Sequence, residues 1–236
     1  MDLELEKAFE IEKSGDYKQA LKAYQGLDEE RLSTEDLIFL KRSIAACLFY
    51  LHEYNKAKEY YEVLLESEII SFEIKKEIET CLYLCFLYGG HPDKAEVYFL
   101  SAIETSLSPI EKMWDYWYLG QCSFLQNDFE KMNSYYQQTV DLSEKFNTEK
   151  IVFFRAHLLV SQLLMNYEND FLDNLNVLKS YNDTSYGLLK VVSSIYYKSK
   201  GAKDWKEMYF AGIQEAKNSN YIENIDLGKW LLKRDS

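Results

Sequence analysis

The apolar residues of this chain recur with the spacing of α-helices. Ile44, Leu48 and Leu51 are three or four positions apart, as are Leu82 and Cys85. Side chains at this spacing share one face of a helix. Each such segment ends in a short polar turn, and a second helical pattern follows the turn. The sequence therefore predicts an all-α protein built from pairs of helices.

One short signature opens the second helix of four successive pairs. It contains a turn, a small or compact apolar residue and then an aromatic ring. The copies are Gly15-Asp16-Tyr17 with Ala20 and Tyr24, His52-Glu53-Tyr54 with Ala57 and Tyr61, Gly90-His91-Pro92 with Ala95 and Phe99, and Asn127-Asp128-Phe129 with Met132 and Tyr136. The rings of these copies are 37, 38 and 37 residues apart. A fixed period of this length indicates a tandem array of structural repeats.

The signature has a physical explanation in helix packing. The residues at one fixed distance before each turn are Ala8, Ala45, Tyr83 and Gly120. Where both helices carry a small residue, their axes approach closely and the ring fills the space beside them. A lone pair leaves its apolar face exposed, so three or more pairs must stack. We expect a positive φ at Gly15, Gly90 and Asn127, and Pro92 in the first turn of its helix.

The second half of the chain is less regular. A fifth copy is predicted at Asn169-Asp170-Phe171 with Asn174 and Leu178, and a sixth at Lys203-Asp204-Trp205 with Met208 and Gly212. The helices expected there span about 148–166, 170–181, 185–200, 203–218 and 220–233. A loop is expected over 181–185, with Thr184 or Ser185 capping the next helix. Leu227, Trp230 and Leu231 give the terminal helix one apolar face that would close the stack.

Composition narrows the choice of function. The chain has only 9 Gly and 2 Pro, which suits long helices, and a net charge of −12, which argues against nucleic acid as a partner. The 4 Cys are too few for a disulfide framework and favour a reducing cytoplasm. The first residues carry no secretory signal pattern. No apolar stretch is long enough to span a membrane.

The string Gly15-Asp16-Tyr17, followed by Ala20 and Tyr24, resembles a tetratricopeptide repeat. The longer units resemble those of the tetratricopeptide-like peptide sensors of Gram-positive bacteria. The resemblance implies a right-handed α-α superhelix of about six helical hairpins. We predict one domain over 1–236, with clear repeats in about 1–145 and irregular repeats plus a capping helix in about 146–236.

The resemblance also implies a binding surface, because the first helix of each tetratricopeptide pair lines the concave face. The predicted lining residues are Arg42, Ala46, Phe49, Tyr50, Thr80, Leu84, Tyr88, Trp117, Gln121, Phe124, Leu159, Leu163 and Tyr167. Tyr50, Tyr88 and Tyr167 would occupy equivalent positions, and Arg42 would pair with a carboxylate. The alternative is that several of these rings pack between repeats.

No catalytic, cofactor-binding or metal-binding residue is predicted. The chain has 3 His and lacks a zinc-protease motif, a nucleophile elbow and a Gly-rich phosphate loop. His157 lies on an apolar helix and reads as a hydrogen-bonded core residue. Asn166, Asn169 and Asn174 read as capping and turn residues, or else as donors to a bound peptide backbone.

These observations predict a non-catalytic scaffold that binds a protein or peptide segment in an aromatic-lined groove. One alternative is an intracellular regulatory sensor of a short signalling peptide. Such sensors usually carry an N-terminal output domain, whereas the first repeat here starts almost at Met1, so a partner protein would supply the output. Another alternative is a phosphatase-like or other enzyme that acts on a partner.

Overall fold

The computed structural model describes residues 2–67, 69–106, 108–180 and 187–218. Within these residues the chain forms twelve α-helices and one short 3-10 turn, Glu29–Arg31, with no strand. The helices are α1 (Leu3–Lys13), α2 (Tyr17–Gln25), α3 (Thr34–Tyr50), α4 (Tyr54–Leu65), α5 (Phe72–Tyr88), α6 (Pro92–Thr105), α7 (Pro109–Leu125), α8 (Phe129–Lys145), α9 (Ile151–Leu164), α10 (Glu168–Ser180), α11 (Gly187–Ser199) and α12 (Trp205–Asn218). The all-α prediction is confirmed.

Consecutive helices pack as hairpins. α1 lies against α2, α3 against α4, α7 against α8, α9 against α10, and α11 against α12. α5 and α6 are joined by Tyr83 and Tyr98, whose rings stack with centroids 4.1 Å apart. The predicted set of about six helical hairpins is therefore confirmed.

The turn inside each hairpin contains one residue with positive φ. These residues are Gly15, His52, Gly90, Asn127, Asn166 and Gly201. The predictions for Gly15, Gly90 and Asn127 are confirmed, and Pro92 is the first residue of α6. Most of these turns close in the same way, since the amide after the positive-φ residue donates to a carbonyl five residues earlier, as Asp128 does to Ser123 at 2.9 Å. This Schellman pattern ends the first helix and starts the return.

The chain divides into two compact units, 1–98 and 99–236, and the boundary falls within α6. In unit 1 the small residues of the signature are buried at the helix crossings, as expected. The buried small residues are Ala8, Ala20, Ala45, Ala57 and Ala95, and the rings beside them in this unit are Tyr24 and Tyr61. That both units belong to one domain stays a prediction.

Unit 2 shows most directly why the small residue is needed. A Cβ on Gly120 would lie 2.2 Å from Cε1 of the Tyr136 ring, so the ring occupies the volume that any other side chain would need. Tyr136 is 1% exposed, and Gln121 Nε2 lies 2.5 Å from its phenol oxygen. The ring is thus held by packing and by one hydrogen bond.

The register predicted for the fifth hairpin is wrong. Its positive-φ residue is Asn166, three positions before the predicted turn at Asn169. Phe171 therefore occupies the small-residue position and Leu175 the ring position, and both are buried. The large and small side chains have exchanged places relative to the first hairpin, which explains why the signature is hard to see in the sequence.

The sixth hairpin is confirmed with adjusted bounds, because α11 and α12 lie within three residues of the predicted helices. A Cβ on Gly212 would lie 2.7 Å from the carbonyl oxygen of Gly187, so the two helices approach closely there. The predicted loop over 181–185 and the predicted terminal helix over 220–233, with Leu227, Trp230 and Leu231, lie outside the described residues.

Candidate functional site

The predicted lining residues of α3 and α5 come together on one face of unit 1. Arg42 donates to Oε2 of Glu77 at 2.7 Å, which joins the two helices. The carboxylate expected beside Arg42 is therefore supplied by this chain. Ala46, Thr80 and Leu84 are half-buried on the same helices. That these residues line a binding surface stays a prediction.

Rings beside three successive hairpin turns form a connected aromatic cluster, which consists of Tyr17, Phe49, Tyr50, Tyr54 and Tyr88. Tyr50 stacks on Tyr17 with centroids 4.3 Å apart, and it also contacts Phe49 at 5.7 Å. Phe49 in turn lies 5.9 Å from Tyr88 and 5.4 Å from Tyr54. Tyr50 remains 54% exposed and Tyr88 38% exposed. The cluster thus presents ring surface to solvent although its members support one another.

Sequence reasoning missed two rings of this cluster, Tyr17 and Tyr54. Each lies two residues after a positive-φ residue and begins the second helix of its hairpin. The signal that could have identified them is that the first two copies of the signature both have a tyrosine two residues after the turn residue. Burial raises the pKa of Tyr17, and the neighbouring Tyr50 and Glu12 add to this rise, so the phenol stays protonated near neutral pH.

Glu12 was also missed, because its neighbours come from other helices. It lies on α1, half-buried, and accepts a hydrogen bond from the phenol of Tyr24 at 2.6 Å. Burial raises the pKa of Tyr24, and this hydrogen bond raises it further. Among the described residues no Lys or Arg pairs with Glu12, whereas the nearby Lys13 pairs with Glu10 at 2.8 Å.

Two of the predicted lining residues in unit 2, Trp117 and Leu159, are buried. Trp117 is only 5% exposed and packs against Phe153 and His157, with centroids 5.4 and 5.3 Å away. Leu159 is fully buried at the helix crossing, in the position that Gly120 occupies in α7. Both side chains belong to the core of unit 2, where Trp117 is covered by residues of α9 and Leu159 is a buried residue of α9 itself. Gln121 is held by Tyr136, and Phe124 and Leu163 are half-buried.

Tyr167 does not occupy the position of Tyr50 and Tyr88. Since Asn166 is the positive-φ residue, α9 ends at Leu164, and Leu164 holds the equivalent position. Tyr167 lies in the turn and is 44% exposed. Together with Asp128 and Phe129 it lines an open cleft of about 640 Å³ between two turns of unit 2.

Comparison with known proteins identifies the fold. No protein-family model and no curated protein matches the chain. Among solved structures, a tetratricopeptide repeat protein from Parabacteroides merdae aligns over 99% of this chain and 83% of its own, with a TM-score of 0.69 and 16% identity. A Rap protein complexed with competence and sporulation factor aligns over 97% and 72%, with a TM-score of 0.65 and 13% identity. PlcR from Bacillus thuringiensis, in complex with the peptide PapR7 and DNA, aligns over 85% and 73%, with a TM-score of 0.58 and 13% identity.

The chain has a tetratricopeptide-like fold. The helices α3 and α5 are the first helices of their pairs, and the contacts between Arg42 and Glu77 and between Phe49 and Tyr88 join them. The aromatic cluster lies at the turn ends of these helices.

The remaining polar candidates of this tetratricopeptide-like chain have structural roles. His157 is 2% exposed, and its Nδ1 lies 2.9 Å from the carbonyl oxygen of Phe153. Burial lowers the pKa of His157 to about 4, so the ring is neutral at pH 7 and the prediction of a core histidine is confirmed. Asn174 bonds to Arg155 at 2.6 Å within unit 2. Asn166 forms the turn.

The thiols are core residues, as predicted, with Cys81 only partly buried. Burial raises the pKa of Cys47 and Cys85 to about 12, which keeps both unreactive near neutral pH. The described residues contain no group of three or more His, Cys, Asp or Glu side chains placed to hold a metal ion. None of the described helices is long and apolar enough to cross a membrane.

Proposed function

We propose that this chain is a non-catalytic scaffold that binds a peptide or protein segment on the α3 and α5 face of unit 1. The observation that carries the proposal is the aromatic cluster. Tyr50 and Tyr88 come from different hairpins, are joined through Phe49 and still expose much of their ring surface. Tyrosine gives a large contact area at a low cost in side-chain entropy and is enriched where binding energy concentrates.

Several features of the surrounding surface support this assignment. Arg42 and Glu77 neutralise each other, so the middle of the face carries little net charge. The side chains of Ala46, Thr80 and Leu84 on the same two helices are half-buried. An extended segment laid across these helices would bury apolar side chains against rings that are already in place, which reduces the ordering cost of binding.

The solved structures of similar fold are consistent with this proposal. The Rap structure contains competence and sporulation factor, and the PlcR structure contains the peptide PapR7. If the bound segment is a short free peptide, this chain would act as a sensor and a partner would supply the output. If the segment belongs to a folded protein, the chain would act as a scaffold.

A binding experiment with a matched control tests the proposal. The full chain is titrated against a fluorescein-labelled pool of random heptapeptides, and a lysate pull-down is run beside it. The double variant Tyr50→Ala and Tyr88→Ala should lose binding by roughly tenfold or more. Phe72→Ala removes a ring that is 77% exposed on the same unit but outside the cluster, and it should leave binding unchanged. Binding that survives the double variant would overturn the proposal.

A further inference from the structure

The negative charge of the chain is concentrated in unit 1. Residues 1–98 contain 12 Lys and Arg against 21 Asp and Glu, a net charge of 12 − 21 = −9, out of −12 for the whole chain. The remaining residues carry −3. A segment approaching unit 1 therefore meets a negative potential, and electrostatic attraction favours a segment with positive charge.

The Glu12 carboxylate acts on Tyr17 of the aromatic cluster, whose pKa it helps to raise, and no Lys or Arg of the described residues pairs with it. Its Oε2 accepts from Tyr24 at 2.6 Å, and among the described residues its other oxygen has no hydrogen-bond partner. Because Glu12 is half-buried, water screens it less than it screens the acidic groups on the outer surface. A half-buried carboxylate with an open oxygen is well suited to receive a cation.

The basic side chains next to Glu12 in the sequence or on the α3 and α5 face already form ion pairs with other carboxylates. Lys13 pairs with Glu10, and Arg42 pairs with Glu77 at 2.7 Å. Neither side chain is therefore paired with Glu12. The missing positive charge would have to come from the bound segment.

The stacked rings of Tyr17 and Tyr50 add a second feature that favours a cation, and Tyr17 is the member of this pair on which Glu12 acts. The two rings stack almost parallel, with an interplanar angle of 13° and centroids 4.3 Å apart. Tyr50 is 54% exposed. The face of a tyrosine ring attracts an ammonium or guanidinium group, and a planar guanidinium stacks on it as well.

We propose that Glu12, Tyr17 and Tyr50 form a subsite for a basic side chain of the bound segment. An arginine of that segment lies across the exposed Tyr50 ring and directs its guanidinium toward the open oxygen of Glu12. A lysine binds there more weakly, because it cannot stack or donate two parallel hydrogen bonds. This inference rests on the proposed function and specifies the chemistry of the segment that the aromatic cluster selects.

The test compares arginine with its uncharged isostere. Two fluorescein-labelled heptapeptide pools are random except at the central position, which is arginine in one pool and citrulline in the other. The full chain should bind the arginine pool roughly tenfold more tightly at physiological salt, and Glu12→Gln should abolish that preference. Glu6→Gln removes the same charge from the same helix at an exposed position and should leave the preference intact.

The outcomes separate this inference from the proposed function. Equal binding of the two pools would overturn the subsite and leave the groove standing, whereas binding of neither pool would overturn the groove as well. A preference that survives Glu12→Gln, or that Glu6→Gln removes equally, would show that Glu12 does not receive the arginine, and it too overturns the subsite. If circular dichroism shows that Glu12→Gln does not fold, Tyr50→Leu decides, since it should lower the arginine preference severalfold.

Discussion

The ring of Tyr136 packs directly against Gly120 where α7 and α8 cross. A Cβ atom added at residue 120 would lie only 2.2 Å from Cε1 of that ring. The glycine sits inside a seventeen-residue helix, where it is less favourable than alanine by about 1 kcal/mol. Its presence there is explained by the ring, which is 1% exposed and fixed by Gln121. Packing outweighs helix propensity at this position.

Gly120→Ala should therefore destabilise the chain despite the better helix former. The Tyr136 ring must move or the helices must separate, and overpacking of this kind costs roughly 1–3 kcal/mol. The free energy of unfolding in urea measures the effect. Gly26→Ala is the matched control, since a Cβ there meets its nearest atom at an ordinary 3.5 Å. A Gly120→Ala protein as stable as the parent would contradict the close packing described here.

The turns allow the free-energy cost of a positive φ to be measured separately from side-chain packing. Gly90 has φ +89, and a Cβ there meets nothing within 4 Å. Gly90→Ala should lower the free energy of unfolding by about 1 kcal/mol, through positive φ rather than through contact. Asn127→Gly, at φ 60 in the equivalent turn, should have the opposite sign or no effect. Equal loss in both variants would argue against this account.

His157 should make stability depend on pH below neutrality. The pKa of His157 is lowered by burial to about 4 from an ordinary 6.5, so the unfolded chain binds the proton first as the pH falls. The stability that this neutral ring contributes is complete above about pH 6.5, and it declines toward pH 4 by about 3 kcal/mol. Urea unfolding across that range measures the slope.

The variant His157→Gln isolates this contribution, because its stability should change less between about pH 6.5 and 4 than that of the parent. An unchanged slope in His157→Gln would assign the pH dependence to other groups.

The sequence was informative where a structural rule acts over a few residues. Gly15, Gly90 and Asn127 could be placed in turns because few residues tolerate positive φ. The fifth turn was misplaced because its sequence departs from the signature. In the first and fourth copies the turn residue is followed by an aspartate and then a ring, whereas Asn166 is followed by Tyr167 and then Glu168. The Asn169-Asp170-Phe171 string, three residues later, matched the signature better than the true turn did.

The binding surface was harder to predict, because its residues depend on contacts between hairpins. Trp117 and Tyr50 are both aromatic residues on first helices, yet Trp117 is covered by Phe153 and His157 while Tyr50 remains exposed. No spacing within one repeat distinguishes the two. The environment of Glu12 could not be predicted for the same reason, since the tyrosine that donates to it comes from the following helix.

The exchanged positions of Phe171 and Leu175 limit how this array can evolve. In the first hairpin the bulky side chain is Tyr24, one helical turn after Ala20, whereas in the fifth the bulky Phe171 comes first. A duplicated copy of one hairpin inserted beside the other would leave a void at one level of the crossing and an overlap at the next. A copy of the first hairpin could therefore be placed beside the fifth only together with compensating substitutions in the neighbouring helices.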